Sequence, residues 1–140
     1  MADQSFDLMF AMLTAMRADA GISALVPAGH IFADSVPPDT EPPYVVIGDT
    51  DAHREDATCV SAQGIFVTLH VWSWGSGDAY NTTQARRICD AVYSALHDRS
   101  LPLASNHLVT IEHRRTRVFK DADGIKNHGV IEFWAGVEEA

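Results

Sequence analysis

Two apolar stretches set the frame of this chain: Pro42-Pro43-Tyr44-Val45-Val46-Ile47-Gly48 and, beyond a polar insert, Gly64-Ile65-Phe66-Val67-Thr68-Leu69-His70-Val71-Trp72-Ser73-Trp74. Proline locks φ and lacks an amide donor, so strand pairing in the first stretch starts only at Tyr44. The second stretch alternates in two registers. Ile65, Val67, Leu69 and Val71 point one way, while Phe66, Thr68, His70, Trp72 and Trp74 point the other. Large groups on both faces suit a sheet covered by helices on one side and by something else on the other. That second cover is read as a neighbouring copy of the same chain.

The flanking segments supply the helices. Phe6, Met9, Phe10, Leu13 and Met16 recur at three- and four-residue steps, predicting a helix over 5–20 capped by Ser5, with Asp7 favouring its first turn and Gly21 ending it. A short turn over 22–25 and an edge strand over 30–32 follow. The prolines between Val36 and Pro43 then force an extended loop. Gly75-Ser76-Gly77-Asp78 reads as a turn in which Asp78 caps a helix over 79–97. That helix buries Ala85, Ile88, Cys89, Val92, Ala95 and Leu96, and leaves Arg86, Arg87 and Asp90 in water. A strand over 108–119, the turn Asp121-Ala122-Asp123-Gly124 and a strand over 126–138 complete the chain. The expected fold class is α+β, a mostly antiparallel sheet of four to five strands with two helices packed on one face. It is read as one domain over 1–140, with a loop or hairpin arm at 49–63 that carries Asp49, Asp51, His53, Arg54, Glu55 and Asp56.

With 140 residues, 46% of them hydrophobic, the chain can bury a core of its own. No apolar run is long enough to span a bilayer, so no membrane partner is expected. Met1-Ala2-Asp3-Gln4 lacks a basic cluster ahead of an apolar stretch; synthesis in the cytoplasm without a signal peptide is the expectation. Charge is divided unevenly within a net −9. Up to Gly64 ten acidic residues face only Arg17 and Arg54, whereas Arg114, Arg115, Arg117, Lys120 and Lys126 make up half of all the basic ones. A dipolar, net-acidic chain is ill suited to general nucleic-acid binding, which needs a net basic face. It suits head-to-tail self-association, where an acidic patch meets a basic one; a solvated strand face is the plainer reading of the arginines.

Searches for chemistry give little. Cys59 and Cys89 have neither metal spacing nor a disulfide framework, and Cys89 reads as a small buried residue. His70 lies among aromatics on one strand face, which suits a hydrogen-bonded structural histidine better than a catalytic base. His113 and His128 are candidate cross-strand neighbours without a His-x-His or His-Glu-x-x-His pattern. The acids around His53 lack the ligand order and glycine of a calcium loop. No nucleophile elbow or phosphate-cradling loop is present. No catalytic residue, metal or cofactor is assigned.

Taken in order, several short segments resemble one family. They are the helix ending in Arg17-Ala18-Asp19-Ala20-Gly21-Ile22-Ser23-Ala24-Leu25-Val26, then His30-Ile31-Phe32, Val36-Pro37 and Pro43-Tyr44-Val45-Val46-Ile47-Gly48. Leu69-His70-Val71-Trp72-Ser73, Ala91-Val92-Tyr93-Ser94-Ala95-Leu96-His97, and Asp121-Ala122-Asp123-Gly124 before His128-Gly129-Val130-Ile131-Glu132-Phe133 follow. Together the chain resembles the tail-completion, or tail-terminator, proteins of long-tailed phages, prophages and gene transfer agents. The resemblance implies a structural virion protein at the head-proximal end of the tail. It also implies a hexameric ring that stops tail-tube growth and joins the tube to the head connector, with DNA passing through the lumen without specific binding. Candidate interface residues are Phe66, Trp72, Trp74, His53, Arg54, Arg114, Arg115 and Arg117, since aromatics and arginine anchor interfaces most often. The alternatives are a small metal- or histidine-dependent enzyme using His70, His113 or His128, and a nucleic-acid-binding module using the basic C-terminal hairpin.

Overall fold

Five strands form one sheet in the computed structural model, which describes residues 3–56 and 61–140. Strands β1 (Ile31–Ala33), β2 (Tyr44–Arg54), β3 (Ala62–Ser73), β4 (Asn106–Lys120) and β5 (Asn127–Glu139) lie in the order β1-β2-β3-β5-β4. Only the β1–β2 pair is parallel. Helices α1 (Gln4–Ala18), α2 (Ala20–Ser23) and α3 (Thr83–Leu96) pack on one face. Beneath them Ile65, Val67, Leu69, Val71, Ile131, Phe133, Ala135 and Val137 are buried, as the alternation of β3 and β5 requires. The α+β, mostly antiparallel architecture is therefore the one expected. Strand β2 begins at Tyr44, directly after the prolines, and runs on to Arg54 through the charged segment. Cys59 and the middle of the expected arm lie outside the described residues.

Helix α1 differs from expectation in its cap, its end and its rotation. Asp3, not Ser5, accepts the Phe6 amide as N-cap, and the Ser5 hydroxyl donates to the same carboxylate. The break falls at Asp19, not Gly21, because Asp19 ends α1 and caps α2 by accepting the Ile22 amide. The buried stripe is Leu8, Met12 and Met16, while Phe6 and Phe10 remain 61% and 57% exposed. Asp7 decides that rotation. Its buried carboxylate accepts the amides of Ala104 and Ser105 and the side-chain amide of Asn106 at 2.9–3.0 Å, tying α1 to the segment that opens β4. Burial pushes the Asp7 carboxyl up, but the bonds from Ser105, Asn106 and Ala104 outweigh it and hold it below its ordinary value. At the other end Arg17 donates to the Ile31 carbonyl from Nη2 (2.6 Å) and Nε (3.1 Å), fastening α1 to β1.

Helix α3 begins later than its sequence suggests. Asp78 is not its cap, since it pairs with Arg87 at 2.7 Å. A 3₁₀ turn over Gly77–Ala79 intervenes, Thr82 holds the N-cap position, and the Asn81 side chain accepts the Thr83 amide. The expected stripe is buried except for Ala95, which is only partly covered; Cys89 is buried, and burial pushes its thiol up to about 12. Gly129 of β5 is what lets the helix sit so close: a Cβ there would lie 2.6 Å from the Cys89 sulfur.

Candidate functional site

Among the described residues no helix covers the second face of the sheet, and most of its side chains are half-buried. Register fixes what meets there. Tyr44, Trp72, His128 and Phe119 form one row across β2, β3, β5 and β4. The next row holds Val46, His70, Val130 and Arg117, and farther along Asp51, Phe66, Trp134 and Glu112 align.

At the centre, His70 Nδ1 and His128 Nε2 share a hydrogen bond of 2.8 Å. The Trp72 ring stacks on His128 at 3.8 Å between centroids, and Phe119 closes the other side at 5.1 Å. Gly48 of β2 makes room for the pair, because a Cβ there would come within 2.9 Å of the His70 ring. Burial pushes His70 below its ordinary pKa, against the pull of Asp49. Burial, the adjacent His70 and Arg117 all lower His128, with Asp121 opposing. His113 is not beside His128, contrary to the cross-strand expectation. It lies opposite Phe133 on the helix-covered side, in edge contact with Tyr93 and with its amide donating to His97.

Each candidate interface residue has a definite place. Phe66 and Trp72 lie on the open face. Trp74 sits at its end, edge-on to Tyr44 at 6.0 Å and under the Lys126 ammonium at 5.0 Å. Along the far part of β2, His53 pairs with Asp51 at 3.1 Å and touches Phe66 edge-on, and Arg54 pairs with Asp56. In a regular strand Arg114 and Arg115 would point to opposite sides. A bulge between His113 and Arg115 changes that. Arg114 lies over the Trp134 ring at 5.4 Å, Arg115 is opposite Glu132, and Arg117 lies over Phe119 at 5.0 Å. Sequence reasoning did not single out Trp134, Phe119, Tyr44 or the His70–His128 bond. The alternation of β5 places Trp134 on this face; the remainder depends on register between distant strands. Among the described residues no group of three or more His, Cys, Asp or Glu side chains could hold a metal ion.

The sheet is thus roofed by helices on one side and lined on the other with aromatics and arginines, the residue types that most often anchor interfaces. The chain belongs to the family described as tail completion protein gp17, which matches residues 10–138. That family is structural, so the chain is a tail-completion component of a virion and not an enzyme. A solved structure described as the virion of a native gene transfer agent particle contains a chain with the same fold, with a TM-score of 0.86 at 22% identity. The match covers 99% of each chain. The structure of the bacteriophage SPP1 gp17 protein aligns with a TM-score of 0.59, also at 22% identity, over 94% of this chain and 88% of that one. A comparison with curated proteins finds no match.

Proposed function

We propose that this chain is the tail-terminator subunit, copies of which close into a ring, six to a turn, at the head-proximal end of the tail tube. The ring ends polymerisation of the tube protein and offers the surface on which the head–tail connector docks, leaving a lumen through which DNA passes without specific binding. The unroofed aromatic face carries this reading. Tyr44, Phe66, Trp72, Phe119 and Trp134 share one side of the sheet, and among the described residues no helix lies over them. Such a surface is costly to leave in water and is characteristic of an interface. Phe66, Trp72, Trp74, His53, Arg54, Arg114, Arg115 and Arg117 are its proposed contact residues. Net negative charge favours free passage of DNA, because like charge prevents tight phosphate contact.

Particles made without this chain test the proposal directly. Electron microscopy is expected to show filled heads without tails, beside tails of irregular length. Normal joined particles would refute it, and a single copy per tail in purified particles would refute the ring.

A further inference from the structure

The two edges of the sheet are unlike, and each is free over only part of its length. On one side β1 pairs with Val45, Val46 and Ile47 alone, so among the described residues no strand lies outside residues 48–54 of β2. On the other side Asp98 donates to the Ile111 carbonyl and His97 accepts the His113 amide, which closes the first half of the β4 edge. Residues 114–119 beyond them have no outer strand among the described residues. The free part of β2 and the segment leading out of it hold Asp49, Asp51, Glu55 and Asp56 against Arg54, itself bound to Asp56. The free part of β4 holds Arg114, Arg115 and Arg117. The unpaired backbone segments are of nearly equal length and opposite charge.

We infer that the ring contact is a β-strand junction: residues 114–119 of one copy pair with residues 48–54 of the next, so that the sheet runs on from subunit to subunit. This rests on the ring reading above and adds to its open aromatic face the strand edges through which neighbouring copies meet. Charged edges ordinarily keep sheets from adhering to one another. Here the charges forbid only like pairings, basic edge to basic edge or acidic to acidic, and permit the head-to-tail one. That is the asymmetry a closed ring requires. Directions also agree. Strands β2 and β4 run oppositely within the sheet, so rotation about an axis roughly along the strands brings them together antiparallel. The free segments are offset by about four residues, or roughly 13 Å along the strands. Across five strands spaced about 4.8 Å apart, that shift corresponds to a tilt of roughly 30°, near the range of closed sheets.

Two complementary variants test the junction. The first carries Arg114→Glu, Arg115→Glu and Arg117→Glu; the second carries Asp49→Arg and Asp51→Arg. Each alone juxtaposes like charges at every contact, and the yield of joined particles from cells lacking the natural chain is expected to fall at least about 100-fold. Expressed together they can alternate around a six-membered ring with every junction matched, and yield is expected to recover to within about tenfold of normal. Circular dichroism of each purified variant verifies that it folds. Amides of residues 48–54 and 114–119 should gain hydrogen-exchange protection when the natural chain assembles. Full activity of either variant alone, no recovery by folded variants together, or rings without new protection would overturn the junction and leave the ring standing. A natural chain present as one copy per tail would remove the ring itself.

Discussion

The two faces of the sheet are cut from the same strands and have opposite characters. Toward the helices stand Val67, Leu69, Ile131, Phe133 and Ala135, aliphatic or small apart from one phenylalanine and shut away from solvent. Toward the open side stand Phe66, His70, Trp72, His128 and Trp134, large and flat and, apart from Phe66, carrying a ring nitrogen that can hydrogen-bond. The first set suits a core closed once, during folding, where shape alone decides the fit. The second suits a surface that must survive in water before a partner arrives, since tryptophan and histidine combine apolar area with a polar atom. Under the proposed ring, period-two alternation divides each strand between folding the subunit and joining it to others.

Truncation on the two sides should separate these roles. Phe133→Ala opens a cavity under α3 in a fully buried position and is expected to cost about 3–5 kcal/mol of stability in denaturant titration. A loss below about 1 kcal/mol would mean that the helix side is not the core. Asp7→Ala removes the acceptor shared by Ala104, Ser105 and Asn106 and should cost about 2–3 kcal/mol at neutral pH. Because the folded carboxyl lies below its ordinary value, this contribution is complete above the unfolded pKa. It is lost as pH falls through the folded one, so variant and natural chain should converge in acid. A gap that stays constant down to pH 2 would show that the carboxylate is not the stabilising group.

What was legible follows from the range of the forces involved. The two registers of β3, the turn at Asp121-Ala122-Asp123-Gly124 and the stripe of α3 are local patterns, and each lies where the sequence puts it. Helix α1 presents two apolar stripes, Phe6–Phe10 and Leu8–Met12–Met16, and periodicity alone cannot choose between them. The choice is made by Asp7 through partners 97 to 99 residues away. Of the open face, the sequence shows the β3 half, Phe66, Trp72 and Trp74. The alternation of β5 adds Trp134, but the partners Phe119 and His128 depend on register across three strands, and the turning of Arg114 and Arg115 to one side depends on a bulge with no glycine to announce it.

Trp72→Ala carries the comparison to the open face. Trp72 stacks on His128 and is only half-buried, so its loss should cost the isolated subunit about 1 kcal/mol, well below the cost of Phe133→Ala. Ring occupancy on tails, counted by microscopy, should nevertheless fall at least about tenfold, because a desolvated aromatic at the middle of a contact dominates its affinity. Stability lost to the same extent as with Phe133→Ala would make the open face part of the subunit's own core.

The smallest effect should come from the His70–His128 bond, which requires at least one imidazole to be neutral. Both rings lie below their ordinary pKa in the folded chain. The unfolded chain therefore takes up protons first as pH falls, and the stability these rings contribute is complete above about pH 6.5 and lost through their folded values. Asp49 and Asp121 oppose the shift, and Arg117 reinforces it beside His128. The expected loss is below about 1 kcal/mol, a melting shift of only a few degrees between pH 7 and pH 5. His128→Gln, which keeps a hydrogen-bonding side chain but cannot become cationic, should flatten that part of the profile. An unchanged slope in the variant would mean that acid acts on the subunit through other groups and that the pair is only a spacer on the open face.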